Sequence, residues 1–407
     1  MMKYSRKRII VYCKKCIKSL FFDTFVIALL SLCVVYCFDW SFLDPSSLYQ
    51  TDNGKGVSAD LLQQIRYKEG QIESDNIKLI NIDTVENRES IAILLEEIYK
   101  QHPNVIGVDL EFRGLKNNDG DMRLAQAIRR IKDKAVFACS EDDNGNIRHS
   151  FFSDPTITDS CLHVDSVKEG LVSYHFDKTI RTYRTDYIVQ DCSFPSFPAQ
   201  MVLFDAKSLP DTTEHLIRYA PIKFTPILYK DVDTCNLKGC YVIVGGFIEG
   251  TDIHITPIGI LHGAKIHAHT LNTIQGGDIE ESESGTELWY TLLTCFFFAL
   301  LLVLLDVITN TFEKLHCFFA YLLSDGGYLV LVLSLLFVII LISFSYQMFS
   351  DKNIYISLND ALISVVIVTG LVKTLWRGFA LWCINEKKIK SWLRYSVYNN
   401  FKYNIQS

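Results

Sequence analysis

Three apolar stretches, at 20–38, 288–308 and 327–349, constrain this chain of 407 residues more than anything else in it. They are 19, 21 and 23 residues long, and about 20 apolar residues are enough for a helix to cross a bilayer. A fourth stretch, 354–372, is interrupted by Asn359 and Asp360. The sequence therefore predicts about four transmembrane helices in a multi-pass membrane protein.

Orientation follows from the basic residues that flank the spans. Residues 1–19 carry Lys3, Arg6, Lys7, Arg8, Lys14, Lys15 and Lys18 and no acid, so this end is expected in the cytoplasm. No small-x-small cleavage site follows the first span, which reads as an uncleaved anchor. The polar segment 39–285 then lies outside, in the periplasm or extracellular space, and the tail 373–407 inside, with both termini cytoplasmic.

Segment 39–285 holds 38 acidic and 24 basic residues, a net charge of −14. Such a surface argues against nucleic acid as a partner, which would need basic groups. Of the twelve cysteines, five fall here: Cys139, Cys161, Cys192, Cys235 and Cys240. An odd number cannot all pair within one chain.

From residue 77 the pattern alternates. "IKLINID" (77–83) is a short apolar strand, "RESIAILLEEIYKQ" (88–101) has helical spacing, and "NVIGVDLEF" (104–112) is a buried strand ending in acids. A helix at 121–131 and a strand at 134–140 follow, and "GCYVIVGG" (239–246) returns as a strand. The pattern predicts an α/β domain, an open and mostly parallel sheet with flanking helices.

"GTDIHITPIGILHGAKIHAHT" (250–270) packs four histidines and Asp252 together and raises the question of a metal. Gly276 and Gly277 end a helical pattern over 262–277. In a helix His267 and His269 lie roughly 200° apart and cannot clamp one ion; in a strand they would share a face. The glycine stop favours the helix, so His267 is expected to pack beside the last strand. His254, His262 and His269 are expected in loops or on the surface, and no metal or other cofactor is expected.

The same stretch resembles the closing motif of the type-2 CHASE domain, an extracellular sensing module of bacterial membrane receptors. The motif falls on Gly245, Asp252, Thr256, Pro257, Gly263, His267 and Ala268. Upstream, "VIGVDLEF", "DGDMRLAQAI" and "YHFDKTIRTYR", with Asp177 and Arg181, resemble further family segments. "TVENRESI" (84–91) departs from the family's Trp-Pro-Arg turn. The resemblance implies a CHASE-like sensor over 39–285, with Gly245, Thr256, Pro257, Gly263 and His267 as structural residues.

Ligands of open α/β sheets bind at the carboxyl ends of the strands. Asp83, Asp109 and Glu111 end or follow two of the strands, and Asp252 follows the last. These acids are candidates to bind a cation or cationic solute, or they cap turns and helices. No P-loop, G-x-G-x-x-G, H-E-x-x-H or G-x-S-x-G motif is present, so no enzyme is expected. The 35 residues of 373–407 are too few for a kinase or cyclase.

The leading expectation is a sensor subunit that binds an unknown extracytoplasmic stimulus. It would signal to a separate effector protein, from the bilayer and as a homodimer where two copies meet. An outer metal-assisted hydrolase using Asp83, Asp109 and Asp252 is the second class. A transporter or channel component using Asn359, Asp360 and Lys373 is the third. The basic, aromatic tail segment 386–407 is expected to lie at the lipid interface as a short helix that fixes the last span, with docking of the effector on that surface as the alternative.

Overall fold

The computed structural model describes residues 6–37, 56–172, 179–276, 280–312, 328–356 and 369–385, apart from a few positions within these ranges. The chain divides into two compact units, one of residues 1–48 and 281–407 and the other of 49–280.

The second unit is built on a seven-stranded sheet. In chain order its strands are β1 (Ile77–Asn81), β2 (Val105–Val108), β3 (Ala135–Glu141), β4 (Ile147–Arg148), β5 (Lys168–Leu171), β6 (Ile227–Leu228) and β7 (Tyr241–Gly245). Their spatial order is β6-β1-β7-β2-β3-β4, with β5 also paired to β3. Every pairing is parallel except β3 with β4.

The parallel core follows from composition. All residues of β2 and β7 are buried, as a strand covered on both faces requires. Side chains alternate between two cores. Ile106, Val108, Val242 and Val244 face the helices α3 (Arg88–Lys100) and α4 (Asn118–Ile131). Val105, Tyr241 and Ile243 face α5 (Phe197–Phe204) and α6 (Gly263–Gly276). The sheet thus forms the middle layer of three.

An earlier helix, α2 (Gly56–Glu69), is tied to this body by polar contacts. Asp60 accepts two hydrogen bonds from Arg181, at 2.9 and 2.7 Å. Gln63 donates to the Ile217 carbonyl and Gln64 to the Pro257 carbonyl. Burial raises the Asp60 carboxyl above its ordinary pKa despite the Arg181 charge. Asp177 lies outside the described residues.

The first unit contains α1 (Arg6–Cys37), α7 (Ser284–Phe312), α8 (Tyr328–Lys352) and α9 (Thr369–Asn385). Three helices among the described residues are long and apolar enough to cross a membrane, over Lys18–Val35, Leu288–Ile308 and Val332–Lys352. Most of the expected fourth span, 354–372, falls on 357–368, which lie outside the described residues; Ile354–Tyr355 are strand, and α9 is described from Thr369. The polar Asn359 and Asp360 and the tail segment 386–407 also lie outside them.

Helices α1, α7 and α9 meet through an apolar seam of Ile27, Ala28, Cys295, Ala299, Val303, Trp376 and Ala380. Two polar contacts cross it. Trp376 Nε1 donates to Asp23 Oδ1 at 2.9 Å. Lys373 Nζ donates to Asp306 Oδ1 at 2.9 Å, both side chains buried, with Arg377 a further 3.9 Å away. Removing one partner of a buried pair strands the other charge, at about 3–5 kcal/mol. Asp306→Ala should therefore destabilise the detergent-solubilised protein more than the double variant Asp306→Ala/Lys373→Ala. Equal melting temperatures for the two variants would show that water reaches the pair.

Candidate functional site

Because β7 lies between β1 and β2, three chain ends emerge side by side at the carboxyl edge of the sheet. Asp83 follows β1, Gly245 and Gly246 end and follow β7, and Asp109 follows β2. Asp83 Oδ1 accepts a hydrogen bond from Phe247 N at 2.6 Å, and Asp83 N donates to Asn81 Oδ1 at 2.7 Å. This carboxylate fixes the path of the chain as it leaves β7.

After β7 the chain makes a hairpin of β8 (Ile253–Thr256) and β9 (Gly259–His262), which runs straight into α6. Thr256 Oγ1 donates to the Gly259 carbonyl at 2.6 Å and closes the turn that holds Pro257. Asp252 precedes the hairpin with a φ of 48°, a left-handed conformation that Asp adopts more readily than most residues. There its carboxylate presses on the first residue of α6, and a Cβ on Gly263 would sit 2.3 Å from Asp252 Oδ2. Gly263 N donates to the Asp252 carbonyl at 3.0 Å. A carboxylate at a helix N-terminus is favoured by the exposed amides there. Gly245 has a matching role, since a Cβ on it would meet the Ala264 Cβ at 2.9 Å.

His267 is buried within α6, its ring edge-on to Phe197 at 5.1 Å. Its Nε2 is 3.9 Å from Asp109 Oδ1, beyond hydrogen-bond range. His269 is equally buried, against Tyr219 and Phe224, which corrects the expectation of a surface residue. α6 packs under other segments as well as the sheet, so both of its sides are covered. His262 is half-buried in β9, and His254 donates or accepts at Asp252 Oδ1 over 3.0 Å. The histidines face different neighbours. Among the described residues no three His, Cys, Asp or Glu side chains are arranged to hold a metal ion.

The electrostatics separate the acids. Burial, then the charges of Asp252 and Glu111, push the Asp109 carboxyl up to about 7. Burial pushes His267 down to about 4 and His269 down to about 3. At Asp252 burial acts upward but is outweighed by His254, His267 and the Gly263 amide, which hold the carboxyl below its ordinary value. Near neutrality, then, His267 is uncharged, Asp252 is ionised, and Asp109 can hold or release a proton.

Glu111 belongs to a neighbouring feature, a cleft of about 550 Å³ between the starts of α3 and α4. Ile91, Leu110 and Phe112 supply apolar wall, and Glu89, Glu111, Arg113 and Lys116 supply charge. Its back is braced by Arg88 and Asp121. Arg88 Nη1 donates to Asp121 Oδ1 at 2.5 Å and Nη2 to the Arg113 carbonyl at 3.2 Å. The guanidinium also lies over Phe112 and Phe152, at 5.8 and 5.4 Å. Asp121 Oδ2 accepts the Lys116 amide at 2.8 Å. At Glu111 burial acts upward, but the hydrogen bonds and charge of Arg113, with the charge of Arg148, keep the carboxyl below its usual range.

Of the four candidate acids, the structure gathers Asp83, Asp109 and Asp252 around the end of β7 and places Glu111 in the cleft. The Arg88–Asp121 brace was not anticipated. Its signal is present in the sequence: two opposite charges, each in the first turn of a helix, on helices that cover the same sheet face.

This is a three-layer α/β domain with a charged cleft at the strand ends, in a chain that also carries helices able to cross a membrane. A family model described as the CHASE2 domain matches residues 28–305. The chain belongs to the CHASE2 family, a family of sensory domains. No curated protein and no solved structure matches it.

The titration of the edge gives a test. For His267 and His269 the folded values are depressed, so their stability is present above about pH 6.5 and is lost as the pH falls through about 4. For Asp109 the folded value is raised, so its stability is present below about pH 4 and lost as the pH rises through about 7. Asp109→Asn should therefore raise stability by roughly 2–4 kcal/mol at pH 8.5 and bring little or no gain at pH 4.5. Urea unfolding at the two pH values checks this, and a pH-independent effect would refute the raised carboxyl.

Proposed function

We propose that the protein is a membrane-anchored sensor subunit. The domain of residues 49–280 faces outward, binds a stimulus at the carboxyl edge of its sheet, and signals through the membrane helices to a separate effector protein. The observation that carries this reading is the extent of the CHASE2 match. It runs from residue 28, within α1, to residue 305, within α7, so the sensory family includes the domain together with parts of the two apolar helices that bracket it. The seven basic residues before the first span support a cytoplasmic amino terminus in this reading.

The domain is read as binding rather than catalysing. A ligand moves such a system only by as much as its affinity differs between two arrangements of the chain. The cleft suits this role because it lies between the starts of two helices, α3 and α4, with the Arg88–Asp121 pair behind it.

The outward placement is tested by thiol labelling in intact cells. Asn144 is exposed on the domain. Asn144→Cys, in a background with the exposed Cys161 and Cys192 changed to Ser, should react with a membrane-impermeant maleimide before lysis. A cysteine at Ser5 should react only after lysis. The opposite pattern would overturn the sensor topology.

A further inference from the structure

We infer that the cleft between the starts of α3 and α4 binds a small zwitterion with an apolar side chain, an α-amino acid or a short peptide. The inference rests on the reading of the domain as a ligand-binding sensor and names the chemistry of its ligand.

Size is the first argument. About 550 Å³ falls within the roughly 300–1,000 Å³ typical of small-molecule sites, and a two- or three-residue peptide fills it better than an ion does. Charge is the second. Segment 39–285 carries a net −14, yet the cleft presents Arg113 and Lys116 beside Glu89 and Glu111. A simple anion would meet the two glutamates, and a simple cation would meet the arginine, the lysine and the amide ends of two helices. A zwitterion meets both signs. Its carboxylate fits Arg113, Lys116 and the helix starts, and its ammonium fits Glu111 and Glu89.

The third argument is that these charges can be recruited cheaply. Arg113 donates to Glu111 through Nε at 2.8 Å, and its side chain is 67% exposed. Exposed pairs of this kind contribute about 0–1 kcal/mol, so a ligand can replace the pair with its own two charges. The brace behind them is different, because Asp121 is fully buried and Arg88 nearly so. The wall is therefore rigid and the rim exchangeable. Ile91, Leu110 and Phe112 then offer apolar surface to the ligand side chain.

The test is thermal denaturation and calorimetric titration of the full chain in detergent with leucine and Leu-Leu, which also separates a free amino acid from a peptide. One or both should bind saturably and raise the melting temperature by several degrees. N-acetyl-leucine, which lacks the ammonium, and leucine amide, which lacks the carboxylate, should each bind at least tenfold more weakly. Lys116→Ala and Glu111→Gln change exposed residues and should leave the ligand-free melting temperature within a degree or two while weakening binding at least tenfold. Absence of binding by both zwitterions overturns the assignment, as does N-acetyl-leucine binding as tightly as leucine. If an uncharged or singly charged compound binds instead and is lost in Lys116→Ala, the zwitterion is rejected while the cleft remains the sensor's site. Failure of the sensor reading itself shows separately, in the labelling pattern of Asn144→Cys.

Discussion

The domain depends on one pairing, the insertion of β7 between β1 and β2. β7 donates and accepts along both edges, in register with Ile77–Asn81 on one side and Val105–Val108 on the other. The sheet therefore has no continuous centre until residues 241–245 are in place, more than 130 positions after β2. A one-residue slip would turn Val242 and Val244 from one core to the other and send Tyr241 and Ile243 the opposite way. Both faces are packed with helices, so either error buries the wrong surface. The same pairing brings Asp83, the two glycines and Asp109 to one edge.

Once the edge is assembled, its charges are managed by burial more than by pairing. Among the described residues Asp109 has no close cation, since the nearest histidine is 3.9 Å away and is itself driven neutral. The carboxyl responds by holding its proton more tightly. Asp252 solves the same problem by staying more exposed and by leaning on the start of α6. Arg88 and Asp121 take the third route, a buried pair with hydrogen bonds on both partners. One edge thus carries a proton-holding acid, an ionised and half-exposed cap and a neutralised brace, with the cleft rim's charges open to solvent.

Much of the fold was legible in the sequence because it is written in local patterns. The strands at 77–83, 104–112, 134–140 and 239–246 are short, mostly apolar runs, and α3, α4 and α6 have helical periodicity with polar or glycine ends. His267 could be placed from its position in a helix beside the last strand. His269 could not, because its burial is decided by Tyr219 and Phe224, some 45 to 50 residues away in the chain. The cleft was missed for a similar reason: its brace joins residues 33 apart, and neither side chain breaks the pattern of its own helix. The fourth expected span, 354–372, falls largely on residues 357–368, which lie outside the described residues.

The hairpin offers a physical account of how occupancy of the edge reaches the ends of the domain. Two segments connect the domain to the rest of the chain, α2 before the sheet and α6 after it. α6 starts at the residue after the hairpin, and α2 is hydrogen-bonded to the hairpin's turn through Gln64 and Pro257. Arg181, held by Asp60 of α2, is next to Ile180, whose amide donates to the Ile255 carbonyl of β8 at 2.8 Å. Entry and exit are therefore joined through this small two-stranded element, and also through residues 217–219, which bond Gln63 of α2 and Thr273 of α6. The cleft helices α3 and α4 lie on the opposite face, so a ligand there acts on the hairpin only by way of β7 and its neighbours. Those strands are close-packed on both sides, and close-packed layers move as units rather than deform gradually. A ligand that draws α3 and α4 together would shift the end of β7, and with it Asp252 and the start of α6. Under the proposed sensor function, a shift of that kind would reach α2 and α6 together, because the hairpin contacts both.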